Sequence, residues 1–140
     1  MNELNELFGE VIHSYTREQA IEDGTLVELP IKDCVEAGIK THVAVTRSVY
    51  FDFIHWTDKD SKRQTPQDES GRLWDLVWML ANAMRSPFNE NKSELLFALY
   101  VVPRGDKSRA RKPRKTVLKA VIDGGDKGIP VITIMQLDES

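Results

Sequence analysis

The sequence predicts an α+β fold, with helices of the first half packed on one face of an antiparallel sheet formed mainly by the last third. Three observations carry this. Helical periodicities with recognisable caps gather before residue 86, three β-rich apolar runs follow residue 94, and the connections between those runs are short enough for a meander. At 140 residues, with 41% hydrophobic and 29% charged content, the chain has the size and composition of one folded domain, residues 1–140.

Taken in order, Thr16-Arg17-Glu18-Gln19 has the Thr-x-x-Gln form of a capping box, and Gly24 is a natural left-handed stop, so a short helix runs between them. Thr25 to Leu29 reads as a strand. Pro30 suits the first turn of a second helix, Ile31 to Ala37, closed by Gly38. His42 to Val45 is a brief extended run, after which Thr46 caps a helix with Val49, Tyr50, Phe53, Ile54 and Trp56 at three-to-four spacing. Thr57 to Ser70 is polar and without periodicity, which predicts an exposed loop. From Gly71 to Arg85, Leu73, Leu76, Val77, Leu80 and Met84 make one helical stripe that Trp74, Trp78 and Ala81 widen, predicting a deeply buried helix. Leu95 to Val102, Thr116 to Ile122 and Val131 to Leu137 then read as strands, joined by a basic loop and by the turn Asp123-Gly124-Gly125-Asp126-Lys127-Gly128.

Cys34 is the only cysteine, which excludes an intramolecular disulfide and a multi-cysteine zinc site. With Asp33 and Glu36 beside it, nothing local would lower its pKa, and it reads as a small apolar filler. The acidic N-terminus and the absence of any apolar run near 18 residues predict neither a signal peptide nor a membrane span, and the expected address is the cytoplasm. The net charge of −3 hides an asymmetry. Between Arg104 and Lys119 eight basic residues face one acid, so the remainder of the chain is strongly acidic.

No complete catalytic or metal-binding signature is present, and no cofactor is expected. Asp58, Asp60 and Glu69 fall at positions 1, 3 and 12 of a calcium loop, but Lys62 and Arg63 stand where an oxygen donor and a glycine are required. His13, His42 and His55 lack metal-ligand spacing; the best pairing is His55 with Asp58 or Asp60, against the plainer reading of a surface histidine at a helix end. Gly124-Gly125-Asp126-Lys127-Gly128 leads through Pro130 into a strand, so it is a hairpin turn and not a phosphate loop.

Two stretches remain. The first is Arg63 to Asp75, where amides, acids and two arginines crowd the start of the long helix. Asp68 or Ser70 caps that helix on the plain reading, and Gln64, Gln67 and Arg72 form a polar recognition surface on the functional one. The second is Arg104 to Lys115, either a solvated hairpin end whose lysines discourage edge pairing or a contact for phosphates or an acidic protein surface. Its binding residues would be Arg109, Arg111, Lys112, Arg114 and Lys115. The loop holds no aromatic side chain, which favours backbone or protein contact over base readout.

Phe8 to Gly24, Gln67 to Asp75 and Pro130 to Met135 together resemble an uncharacterised family of small proteins carried by bacterial plasmids, prophages and phages. The resemblance implies a mobile-element setting and brings no activity, cofactor or catalytic residue. In that setting the expected function is a small binding protein that engages a host or phage protein or nucleoprotein complex, as an inhibitor of host defence, with no membrane partner. One alternative is a nucleic-acid-binding accessory protein acting through residues 104–119. The other is an enzyme on a nucleotide or nucleic acid, with Arg72 or Arg47 holding phosphate and Asp68 or Asp75 as base.

Overall fold

Thr16 opens the first described helix with the reciprocal bonds its sequence predicts: its hydroxyl accepts from the Gln19 N–H and its own N–H donates to the Gln19 side chain, both at 3.0 Å. The computed structural model describes residues 16–105 and 110–139. The elements are α1 (Arg17–Asp23), β1 (Leu26–Glu28), α2 (Ile31–Glu36), β2 (His42–Thr46), α3 (Arg47–Val49) running into a π-helical turn (Tyr50–Ile54), α4 (Asp58–Arg63), α5 (Glu69–Arg85), a short 3₁₀ turn (Pro87–Asn89), β3 (Glu94–Val101), β4 (Arg114–Asp123) and β5 (Val131–Gln136). Gly24 ends α1 at φ +86°, a conformation that only glycine adopts without strain. Asp68 caps α5, its carboxylate accepting from the Gly71 N–H at 2.6 Å.

The class is α+β, as the sequence predicts, and β3, β4 and β5 form the antiparallel meander of the last third. The whole sheet is mixed and has the order β1-β2-β5-β4-β3. β2 pairs β5 in parallel, with Val43 opposite Ile132 and Val45 opposite Ile134, and β1 pairs β2 antiparallel. The physical reason is that β5 is apolar on its core face and would otherwise be a bare edge, and β2 supplies the apolar run that closes it.

Side chains alternate across this sheet. Val43, Val45, Leu95, Phe97, Leu99, Leu118, Ala120, Ile132 and Ile134 face Leu73, Leu76, Val77 and Leu80 of α5 in one continuous core. Leu76 and Leu80 are wholly buried, each stabilising the fold by about 2 kcal/mol through apolar surface removed from water. The opposite, outer face carries Thr133 and Met135 of β5, Lys115 and Lys119 of β4, and Leu96 and Tyr100 of β3, and α1 reaches it through Arg17, which donates to the Thr133 hydroxyl at 2.5 Å.

Two further expectations change besides the purely antiparallel sheet. The polar stretch after Thr57 is not all loop: Thr57 and Asp60 form a capping box and start α4. Its inward residues, Asp60 and Gln64, are polar, so no apolar periodicity marked the helix. Trp78 does not deepen the buried stripe of α5, since it is 42% exposed, stacked on Trp74 with the Arg85 guanidinium 5.6 Å from its ring.

Candidate functional site

The end of the β3–β4 hairpin is built from its base upward. The Gln64 side chain, 4% exposed, donates to the carbonyls of Pro103 and Ala110, each at 2.9 Å, so one buried amide holds these two points of the chain together. Val102 and Ala110 pack with Trp56 beneath it. On the adjoining strand end, the Arg104 N–H donates to the Asp52 carbonyl at 2.9 Å and its Nε to Asp60 Oδ2 at 2.7 Å.

Asp60 is the anion of this base. It is 1% exposed and also accepts from Arg63 at 2.9 Å and from the Thr57 N–H and hydroxyl at 2.8 and 2.9 Å. Burial alone would raise its pKa, but the bonds from Arg104 and Thr57 outweigh it and hold the carboxyl at about 2. Arg72 supplies the buried cation, its guanidinium stacked 4.4 Å from the Trp56 ring. Its Nε donates to Ile54 O at 3.1 Å, Nη1 to Gln67 Oε1 and Val102 O at 2.8 Å, and Nη2 to Asp52 O at 3.1 Å. Desolvation lowers its pKa to about 10, so it stays charged at neutral pH.

This corrects the expected recognition surface at residues 63–75. Gln64 and Arg72 lie inside, because their side chains donate to the carbonyls of Asp52, Ile54, Val102, Pro103 and Ala110 in the π-helical turn and beyond β3. Gln67 is exposed, but its side-chain oxygen serves Arg72. The groups named for an enzyme do not converge either. Asp68, Arg72 and Asp75 border one shallow hollow, yet the Arg72 guanidinium turns inward, Asp68 caps a helix, and Arg47 stands elsewhere, over Phe51.

Above the base the basic residues have a different fate. Arg111, Lys112, Arg114 and Lys115 are exposed, and among the described residues none is paired with a carboxylate. Arg109, the fifth member of the expected set, lies outside the described residues. Lys119, two positions further along the outer face, donates to the Glu139 carbonyl at 3.1 Å.

A model of the DUF6573 family, a family of unknown function, matches residues 1–140. The chain belongs to that family. No curated protein and no solved structure matches it.

This DUF6573 chain also has a groove of about 930 Å³ on the outer face, bordered by α1, the start of α3 and the β4–β5 turn. Its polar groups serve one another. Arg17 bonds Thr133 and the Ile132 carbonyl, Asp126 accepts from the Arg17 and Glu18 N–H groups, and Glu139 accepts from Thr46, Ser48 and the Gln136 N–H. The π-helical turn places a second cluster: Tyr50 donates to Glu69, which also lies 3.2 Å from His55 Nδ1, while Tyr50 and His55 stack. Burial and that bond push the Tyr50 hydroxyl up to about 12. His55 thus pairs with Glu69, not with Asp58 or Asp60 as its spacing suggested, and Asp60 and Glu69 are spent on separate partners. Cys34 is buried, and desolvation raises its thiol pKa. Among the described residues no helix is long and apolar enough to cross a membrane. The groove, the inward Gln64 and the Tyr50–Glu69–His55 cluster were not found by sequence reasoning, because each joins elements far apart in the chain.

Proposed function

We propose that this DUF6573 chain is a small binding protein that captures a macromolecule of a host or phage through the basic end of its β3–β4 hairpin, and that it serves a mobile element by blunting host defence. One observation carries the reading. A buried amide, Gln64, ties Pro103 and Ala110 to the body, and the residues that follow, Arg111, Lys112, Arg114 and Lys115, are exposed cations without carboxylate partners among the described residues. A fixed base lowers the ordering cost of binding, and unpaired charge at the surface steers an anionic partner toward it. The mobile-element setting rests on the resemblance of Phe8 to Gly24 and Gln67 to Asp75 noted above.

The test is capture from lysate with the tagged chain, one half of the sample treated with nuclease. A protein partner retained after nuclease, and lost when Arg109, Arg111, Lys112, Arg114 and Lys115 are all changed to Gln, supports the reading. Undiminished capture by that five-fold variant, with an unchanged circular dichroism spectrum, overturns the assignment of the hairpin end. Release of everything by nuclease replaces the protein partner with nucleic acid.

A further inference from the structure

The sheet has two edges of very different character. β1 offers three residues, whereas β3 offers eight, paired with β4 in one unbroken register from Glu94 opposite Val121 to Val101 opposite Arg114. On its far side β3 meets no described strand. Soluble proteins blunt such an edge with lysine, proline or a bulge. β3 has none of these, and its one charge is Glu94 at the first position.

Its outer-face residues are Glu94, Leu96, Ala98 and Tyr100, and the two large ones are open to solvent, Leu96 at 56% and Tyr100 at 68%. They are placed symmetrically about Ala98. Two identical strands paired antiparallel about a two-fold axis must keep facing residues on the same side of the sheet, which restricts the axis to a residue position. With the axis at Ala98, Leu96 lies opposite the partner's Tyr100, and Tyr100 opposite the partner's Leu96. Shifting the axis to Phe97 or Leu99 sets one of the two against Ala98 and breaks the match. On the inner face the same register sets Phe97 opposite the partner's Leu99, extending the buried layer.

We propose that two copies of this chain associate along β3, antiparallel about Ala98, into one continuous ten-stranded sheet. The pairing satisfies the free backbone groups of both edges and covers both exposed apolar side chains with each other. It also sets the two Val101 positions, where the basic hairpin ends begin, roughly 20 Å apart at about 3.4 Å per residue. Because the two strands run antiparallel, the two basic ends point away from each other along the shared edge.

Sedimentation equilibrium of the full chain, with three variants, tests this. The wild type forms a dimer in concentration-dependent equilibrium. Tyr100→Glu raises the dimer dissociation constant about tenfold or more, since both facing pairs are lost. Mixing Tyr100→Glu with Leu96→Lys restores association, because the new acid and base face each other while the native Leu96 and Tyr100 meet at the other pair. Ala98→Cys crosslinks chain to chain under mild oxidation, as residues on the axis stand about 4.5 to 5.5 Å apart, within disulfide reach. The native Cys34, 1% exposed, does not compete. All three positions are at least partly exposed, so at concentrations where the wild type is monomeric the thermal melts of the variants should match it. A wild type that stays monomeric at its highest soluble concentration overturns the proposal, as does a dimer indifferent to Tyr100→Glu and uncrosslinked through Ala98→Cys.

Discussion

Arginines and lysines at the two levels of the hairpin end meet opposite fates. Arg63, Arg72 and Arg104 are held by Asp60 or by backbone carbonyls, whereas Arg111, Lys112, Arg114 and Lys115 stand in solvent without a carboxylate partner among the described residues. A basic residue becomes structural where turns and strand ends leave carbonyls or a buried acid to satisfy, and is free for a partner where they do not. The distinction separates what holds the site from what would bind at it, and each level can be disturbed without the other.

The largest effect is expected at the lower level. Asp60→Ala removes the buried acceptor that serves Arg104 and Arg63 and the cap of α4 together, and should cost about 3 kcal/mol in denaturant unfolding, the sum of lost charge-assisted hydrogen bonds and a lost cap. A cost below about 1 kcal/mol would mean that water replaces the carboxylate and that the base is not a sealed network. Gln64→Ala is the next step down. It removes the Gln64 bonds to the Pro103 and Ala110 carbonyls, costs about 2 kcal/mol, and weakens capture although no binding residue is touched. Loss of stability with full capture would separate the clamp from function.

Acid gives a third handle on the same level. Asp60 has its folded pKa near 2, below its ordinary value near 4, so its stabilising contribution is complete above about pH 4 and disappears as pH falls through 2. The contribution is about 2 kcal/mol. Thermal melts from pH 5 to pH 2 should show this acid limb in the wild type and a flatter one in Asp60→Asn. Parallel limbs would place the acid sensitivity in other carboxylates, Glu139 first, whose pKa is also lowered: burial opposes this, but hydrogen bonds from Ser48, the Gln136 N–H and Thr46 prevail.

How much of this was legible follows from the range of each interaction. The α1 cap, the Gly24 stop, the α5 stripe and the β3–β4–β5 meander are local patterns, and the sequence alone predicts them. The parallel β2–β5 pair joins residues about ninety positions apart, with no local sign beyond two apolar runs. α4 escaped because its inward side chains are Asp60 and Gln64, so the period that marks a helix is written in polar residues. For the candidate site, the basic run was visible as composition, and the four members described do lie exposed at the hairpin end. Gln64 and Arg72 were singled out as unusual polar residues and assigned to the surface, since one-dimensional spacing does not show which carbonyls a fold leaves unpaired.

The smallest stability effect belongs to the upper level and is the sharpest test of the comparison. Changing Arg111, Lys112, Arg114 and Lys115 together to Gln should leave unfolding free energy within about 0.5 kcal/mol of the wild type, because exposed side chains without a carboxylate partner among the described residues contribute little. Relief of repulsion among four neighbouring cations pushes that small change toward stabilisation. Partner capture should fall at the same time, and the fall should mimic the effect of raising salt on the wild type, since both remove the same field. A quadruple variant that unfolds more easily by 2 kcal/mol or more would show that these cations are anchored like Arg104, and the division into a holding level and a binding level would fail.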